Sequence, residues 1–308
     1  MSSLRNLVCI GDWFLSNCSS LTDLTLPPSG SLHTIGMGFL ESCSSLGYID
    51  NLSSLSLLTT IPSQFLANCY ALQSIDFTPM DKVTCIGSHF MVSCKGLRSI
   101  DLTGLENVAV IRCYFLHNSR SLRSINLSPL SSVKEVGSRF MCSCSSLQEV
   151  DLSPLQSHLC KINGLGEFFS GCSSLTNINL SPLINTTEVS NKFLMSCTSL
   201  SNIDLSPLSN ITEVGSCFLM KCTSLRCIDL TPLGNVTKVG MEFLSGCSGL
   251  TSETDAFDLT PLGNVISLGK WFLFECWGLR GVDVSPLRSL TMEQKEKAIV
   301  KVDVLTWE

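Results

Sequence analysis

Eleven times along this chain a phenylalanine stands four residues before a cysteine, once a serine, and a leucine stands three residues after it. The rungs are Cys18, Cys43, Cys69, Cys94, Ser119, Cys144, Cys172, Cys197, Cys222, Cys247 and Cys276. Their phenylalanines run from Phe14 to Phe272 and their leucines from Leu21 to Leu279, with none missing. The step is 25 residues in most places, 26 once, and 28 and 29 at two insertions, Gln156–Gly164 and Thr251–Asp255. A unit of this size cannot bury a Phe, a Cys and two Leu alone, so the units must stack and equivalent side chains must form columns. With 44% hydrophobic and 15% charged residues in 308, the chain carries enough apolar material for such a core.

Two patterns alternate inside each unit. In L-x-x-I-D-L, as at Ile203-Asp204-Leu205, apolar residues lie two apart, which predicts a strand. In F-L-x-x-C, as at Phe218–Cys222, they fall at i, i+1 and i+4, which predicts one or two helical turns with the apolar side inward. Ser-Pro or Thr-Pro then ends the strand, because proline cannot donate to a ladder. A second extended piece follows, such as Ile211–Val214. Gly36, Gly87, Gly137, Gly215, Gly240 and Gly269 recur after it, where a turn into the helical segment calls for a permissive backbone. The expected fold is an α/β repeat solenoid of eleven units of about 25 residues. Parallel strands form one face and short helical turns the other. Residues 1–290 form the solenoid and 291–308 a C-terminal cap, with Thr291–Gln294 as a capping box and Val300, Val302 and Val304 in a half-exposed strand.

Charge removes one function class. Against 26 Asp+Glu, the 20 Lys+Arg leave a net charge of −6 and no basic patch for nucleic acid. No apolar run reaches the length of a membrane span. Met1–Ile10 reads as repeat sequence rather than a secretory signal. The expected location is therefore cytoplasmic, or the cell surface if the chain is part of a larger secreted protein.

Seventeen cysteines suggest a disulfide framework, but the odd count and even ladder predict thiols packed beside the Phe column. Ser119 stands in for one of them without disturbing Phe115 or Leu122. No C-x₂-C pair supports zinc. His33, His89, His117 and His158 share no spacing and have no paired carboxylates, so no catalytic, cofactor or metal residue is assigned. Seven N-x-S/T sequons, for example at Asn185, Asn210 and Asn235, follow from the repeat grammar and read as packing or turn residues. Trp13 and Trp271, at equivalent positions in the terminal repeats, read as aromatic lids or, more sharply, as binding residues.

One polar column stands out. Asp50, Asp76, Asp101, Asn126, Asp151, Asn179, Asp204, Asp229, Asp258 and Asp283 lie between buried neighbours and so point outward. Carboxylates about 4.8 Å apart repel by roughly 1 kcal/mol per pair in water. Either each closes an Asx turn, or cations relieve the row, with Arg98, Arg123, Arg226 and Arg280 three residues upstream. Both readings stay open. The candidate partner surface is Asp151, Asn179, Asp204 and Asp229, with Arg226 beside them.

The unit V-T-x-V-G-x-x-F-L-x-x-C-x-S-L-x-x-I-D-L-S-P-L, seen at Val236–Gly240, Phe243–Cys247 and Leu250, resembles the BspA-like (treponemal-type) leucine-rich repeats. The likeness covers residues 4 to 290, although this unit is slightly longer and the small residue usual before Phe is replaced by varied ones. It implies a parallel-strand solenoid that binds other proteins or cell surfaces, and no catalytic residue. The expected function is a non-enzymatic scaffold binding a protein on its strand face. The alternative is a surface adhesin or antigen that binds host protein or glycan.

Overall fold

The computed structural model describes residues 7–26, 32–50, 52–155, 166–251 and 257–299, and the backbone of 305–306. The chain divides into two compact units, residues 1–161 and 162–308. Both are parallel-strand solenoids with few short helices.

In the first unit Cys9–Ile10 pairs with Thr34–Ile35, and Thr60–Ile61, Cys85–Ile86, Val110–Ile111 and Glu135–Val136 form a parallel sheet. The second unit repeats this with Glu188–Val189, Glu213–Val214, Lys238–Val239 and Ser267–Leu268. One residue of each pair faces inward, so Ile61, Ile86, Ile111 and Val136 are buried while their neighbours meet solvent. These sheets come from the second extended piece of the unit. Among the described residues the L-x-x-I-D-L stretch forms ladders only at Asp23–Thr25 with Tyr48–Asp50 and at Val282–Asp283 with Leu305–Thr306. Elsewhere it contributes two isolated bridges, Asp76–Asp101 and Phe257–Val282.

The F-L-x-x-C segment is not helical, which corrects the placement of the helical turns. In every repeat the residues five, three and one before the rung have φ between 49° and 76°, as at Lys192, Leu194 and Ser196. This alternation sends main-chain groups to both neighbouring turns. Lys192 N–H donates to Ser216 O at 2.7 Å, Leu194 N–H back to Phe168 O at 3.1 Å, and Ser196 N–H forward to Met220 O at 2.7 Å. A helix would spend those amides inside its own segment and leave the turns joined by side chains alone. Left-handed L-residues cost about 1–2 kcal/mol each. The inter-turn bonds and the burial of Phe193 and Leu194 offset that cost. Short helices occur instead as 3-10 turns at Ser-Pro-Leu or Thr-Pro-Leu, such as Ser206–Leu208 and Thr231–Leu233, with proline in the first turn.

The recurring glycine also has a different reason from the expected one. Its φ is not positive; its missing side chain is what matters. A Cβ on Gly240 would lie 2.4 Å from Ser216 N, because consecutive backbones meet there.

The core is columnar. In the first unit Phe14, Phe39, Phe65, Phe90, Phe115 and Phe140 stack with ring centroids 5.1–6.1 Å apart. In the second, Phe168, Phe193, Phe218, Phe243 and Phe272 do the same at 5.2–6.0 Å. Beside them eight rung thiols donate to the carbonyl three residues before the preceding rung, as Cys94 to Leu66 O and Cys222 to Leu194 O. Ser119 makes the same bond to Met91 O at 3.4 Å, so one hydroxyl fits the column.

Most of both insertions lies outside the described residues. The longer step from Cys247 to Cys276 leaves the column intact, with Phe243 and Phe272 5.2 Å apart and nearly parallel. The helix Met292–Ala298 covers the last repeat. Its capping box is present, with Gln294 N–H donating to Thr291 Oγ1 and Thr291 N–H to Gln294 Oε1. Phe272 N–H donates to Ala298 O, and the buried Lys295 ammonium donates to Val284 O at 2.9 Å. The expected strand residues Val300, Val302 and Val304 lie outside the described residues.

Candidate functional site

The outward Asx column is built by the turn that follows it. Oδ1 of Asp76, Asp101, Asn126, Asp151, Asn179, Asp204, Asp229, Asp258 and Asp283 accepts the backbone N–H two residues on, at 2.8–3.0 Å. Each side chain thus opens the turn that follows it, which carries a proline everywhere except after Asp101, where Gly104 stands instead, and the Asx-turn reading holds for these nine residues. Asn126 and Asn179 make the bond as well as the aspartates do, since it needs an oxygen and not a charge.

Of the candidate surface residues, Asp151 lies in the first unit, and Asn179, Asp204, Asp229 and Arg226 lie in the second. All five are exposed. They stand in extended segments outside the sheet ladders, so the support beneath them is the Asx turn rather than a strand. The Ser206 side chain and then its N–H hold the Asp204 carboxyl below the usual aspartate range. Thr231 does the same for Asp229, and Thr103 for Asp101. Hydrogen bonds from hydroxyls and amides therefore stabilise these carboxylates. Among the described residues none of Arg98, Arg123, Arg226 and Arg280 forms an ion pair with the column. Arg226 instead lines a shallow groove with Ser199, Ser201, Thr223, Ser224 and Thr251.

Sequence reasoning missed a larger groove on the first unit, of about 650 Å³. The strand Tyr48–Asp50 pairs with Asp23–Thr25 on one side. No main-chain hydrogen bond joins it to Ser74–Asp76 on the other. The exposed Tyr48, Asp50, Asp76 and Asp101 line the groove together with the nearly buried Ile49, Ile75 and Ile100, whose side chains belong to the core. The signal was the small residues Ser74 and Ser99 at the position where the earlier turn has Tyr48.

The histidines are less scattered than their spacing suggests. His89 stacks on Tyr114 at 4.3 Å and His117 meets the same ring edge-on at 5.5 Å. Arg139 lies 4.8 Å from the Tyr114 centroid. Burial first, then the Arg139 charge, lowers the His89 pKa. Among the described residues no three His, Cys, Asp or Glu side chains are grouped to hold a metal ion.

The sixteen described cysteines are all thiols. Burial pushes Cys94, Cys144 and Cys276 up to about 12. Two sequon asparagines serve packing: the Asn210 amide donates to Ile184 O and the Asn235 amide to Ser209 O. Trp13 and Trp271 are both partly exposed, at 46% and 42%. Trp13 lies across Gly38, where a Cβ would come within 2.2 Å of its ring. No described helix is long and apolar enough to cross a membrane.

A leucine-rich repeat protein from Bacteroides ovatus is 21% identical over 98% of this chain and 87% of its own, with a TM-score of 0.43. One from T. pallidum is 19% identical over 70% and 82%, with a TM-score of 0.41. A leucine rich cell surface protein from Faecalibacterium prausnitzii is 14% identical over 90% of each chain, with a TM-score of 0.40. No curated protein matches the sequence. Six copies of the BspA type Leucine rich repeat region match residues 2–80, 59–164 and 155–266. With that match spanning most of its length, the chain belongs to the BspA-type leucine-rich repeat family.

Proposed function

We propose that this chain is a non-enzymatic recognition scaffold that binds another protein through its Asx column, with Asp151, Asn179, Asp204, Asp229 and Arg226 in contact with the partner. The supporting observation is the way the column is held. One carboxylate oxygen of Asp204 and of Asp229 is fixed by an amide, while the exposed side chain keeps its charge toward solvent. Prefixed charges lose little freedom on binding, which favours recognition by a basic partner. Membership of a repeat family commonly used for protein interaction agrees with this.

Hydrogen exchange on the chain with and without a captured partner tests the site. The expected result is added protection at residues 204–208 and 229–233. Protection confined to the left-handed strip at 192–196 and 217–221 would move the partner to the other side.

A further inference from the structure

We propose that the open end of the first unit, formed by residues 8–21, docks on the same end of a second copy of this chain. The contact uses none of the candidate partner residues and does not depend on what they bind.

Burial gives the first sign. Phe39, Leu40, Cys43 and Leu46 are 0% exposed, whereas their equivalents Phe14, Leu15, Cys18 and Leu21 are only half-buried. The main chain shows the same gap. His33 N–H donates back to Val8 O at 2.9 Å, Gly36 N–H to Ile10 O at 2.8 Å and Leu40 N–H to Phe14 O at 3.0 Å. The equivalent amides of Val8, Gly11 and Leu15 donate to no described residue. Met37 O and Glu41 O accept the N–H groups of Trp13 and Asn17, while the equivalent carbonyls of Asp12 and Ser16 accept none among the described residues. Gly11 is the most specific mark. A Cβ at the equivalent Gly36 would lie 2.3 Å from Asp12 N, but one at Gly11 would meet nothing within 4 Å. Its φ is not positive either. Within one chain neither crowding nor conformation calls for glycine at 11. A second backbone approaching as closely as the next turn approaches Gly36 does call for it.

A second copy suits this end. The face offers donors and acceptors around an apolar centre, so it can satisfy itself, and the free edge of Cys9–Ile10 can pair with its own copy. Charge does not oppose the contact. Residues 8–22 hold one charged side chain, Asp12, whose Oδ1 accepts Met37 N–H and so turns toward the following repeat. The last repeat is covered by the helix Met292–Ala298, which leaves the first turn as the end available for stacking. A contact between like faces is isologous and closes at two chains.

Sedimentation equilibrium of the full chain should show the mass rising with concentration from 33.5 kDa to twice that value and no further. Gly11→Ala adds a Cβ where a single chain has room, so its circular dichroism and urea unfolding in dilute solution should match the wild type. Its dimer should dissociate about tenfold more readily or not form. In the wild type, iodoacetamide labelling of Cys9 and Cys18 should slow as concentration rises, while that of Cys85, inside the sheet, should not. A mass of one chain at every concentration overturns the proposal. So does an undiminished dimer in Gly11→Ala, or labelling of Cys9 and Cys18 that ignores concentration. A mass climbing past two chains means head-to-tail stacking and overturns it as well.

Discussion

At the scale of single residues, the chain repeatedly gives a backbone group a side-chain partner from the same or the next turn. The rung thiols donate to carbonyls displaced by the left-handed residues, and the Asx oxygens accept the amides of the turns that follow. Cys144→Ser therefore retains the donor to Leu116 O, while Cys144→Ala removes it and leaves that carbonyl with the Ser119 N–H alone. Urea unfolding should show a loss of about 0.5–1.5 kcal/mol for the alanine variant and a smaller one for serine. Equal losses would mean that only side-chain volume matters. Without denaturant, iodoacetamide should label the exposed Cys9 and Cys227 well before Cys94, Cys144 and Cys276, whose buried thiols are held near 12. The aspartates give a pH signature. Asp101, Asp204 and Asp229 have folded-state values below those of the unfolded chain, so at acid pH the unfolded state binds more protons. Their contribution is complete above about pH 4 and fades as pH falls through the lower folded values. Replacing all three with Asn should flatten the acid limb of stability against pH. An unaltered limb would show that the hydrogen bonds do not favour the charged form.

At the scale of elements, the left-handed strip departs furthest from what the pattern promised. Apolar residues at i, i+1 and i+4 fit a helix, yet Phe, Leu and Cys also point inward when every second residue is left-handed. The burial pattern alone cannot separate the two. A weaker signal was present one residue before the rung, where Asn17, Asn68, Asn118, Gly171 and Gly246 are the residue types that tolerate positive φ. The leucines three before the rung carry no such mark, and only the bonds to neighbouring turns account for them. Ser196 tests this element, with φ of 60°. Ser196→Gly should leave stability unchanged or raise it, and Ser196→Val should lower it by about 1–2 kcal/mol or more, read by urea unfolding. A helical strip would reverse that order. Other elements were legible because their chemistry is local. The capping box was readable from Thr291 and Gln294, and the Asx turns from Asp before Ser-Pro or Thr-Pro. The groove beside Tyr48 was not, because residues of several successive turns line it, which no single repeat encodes.

At the scale of the whole molecule, the period fixes the class of fold, and the columns carry its stability. Phe218 is fully buried between Phe193 and Phe243, so Phe218→Ala should cost about 3–5 kcal/mol and unfold the second unit at lower urea. A negligible loss would mean that the column is not what holds the turns together. The column of Asx side chains is different in kind: its oxygens build turns, and its charge has no described partner among the four arginines upstream. The central claim is that this charge exists for a protein partner. It is tested most directly by measuring partner affinity across a salt series for the wild type and for Asp204→Asn with Asp229→Asn. The turns accept Asn already at Asn126 and Asn179, so the double variant should stay folded, losing only the small contribution of its two carboxylate charges. Its affinity should fall and its dependence on salt should flatten. Unchanged affinity with an unchanged salt slope would contradict the claim and leave the column a device for closing turns.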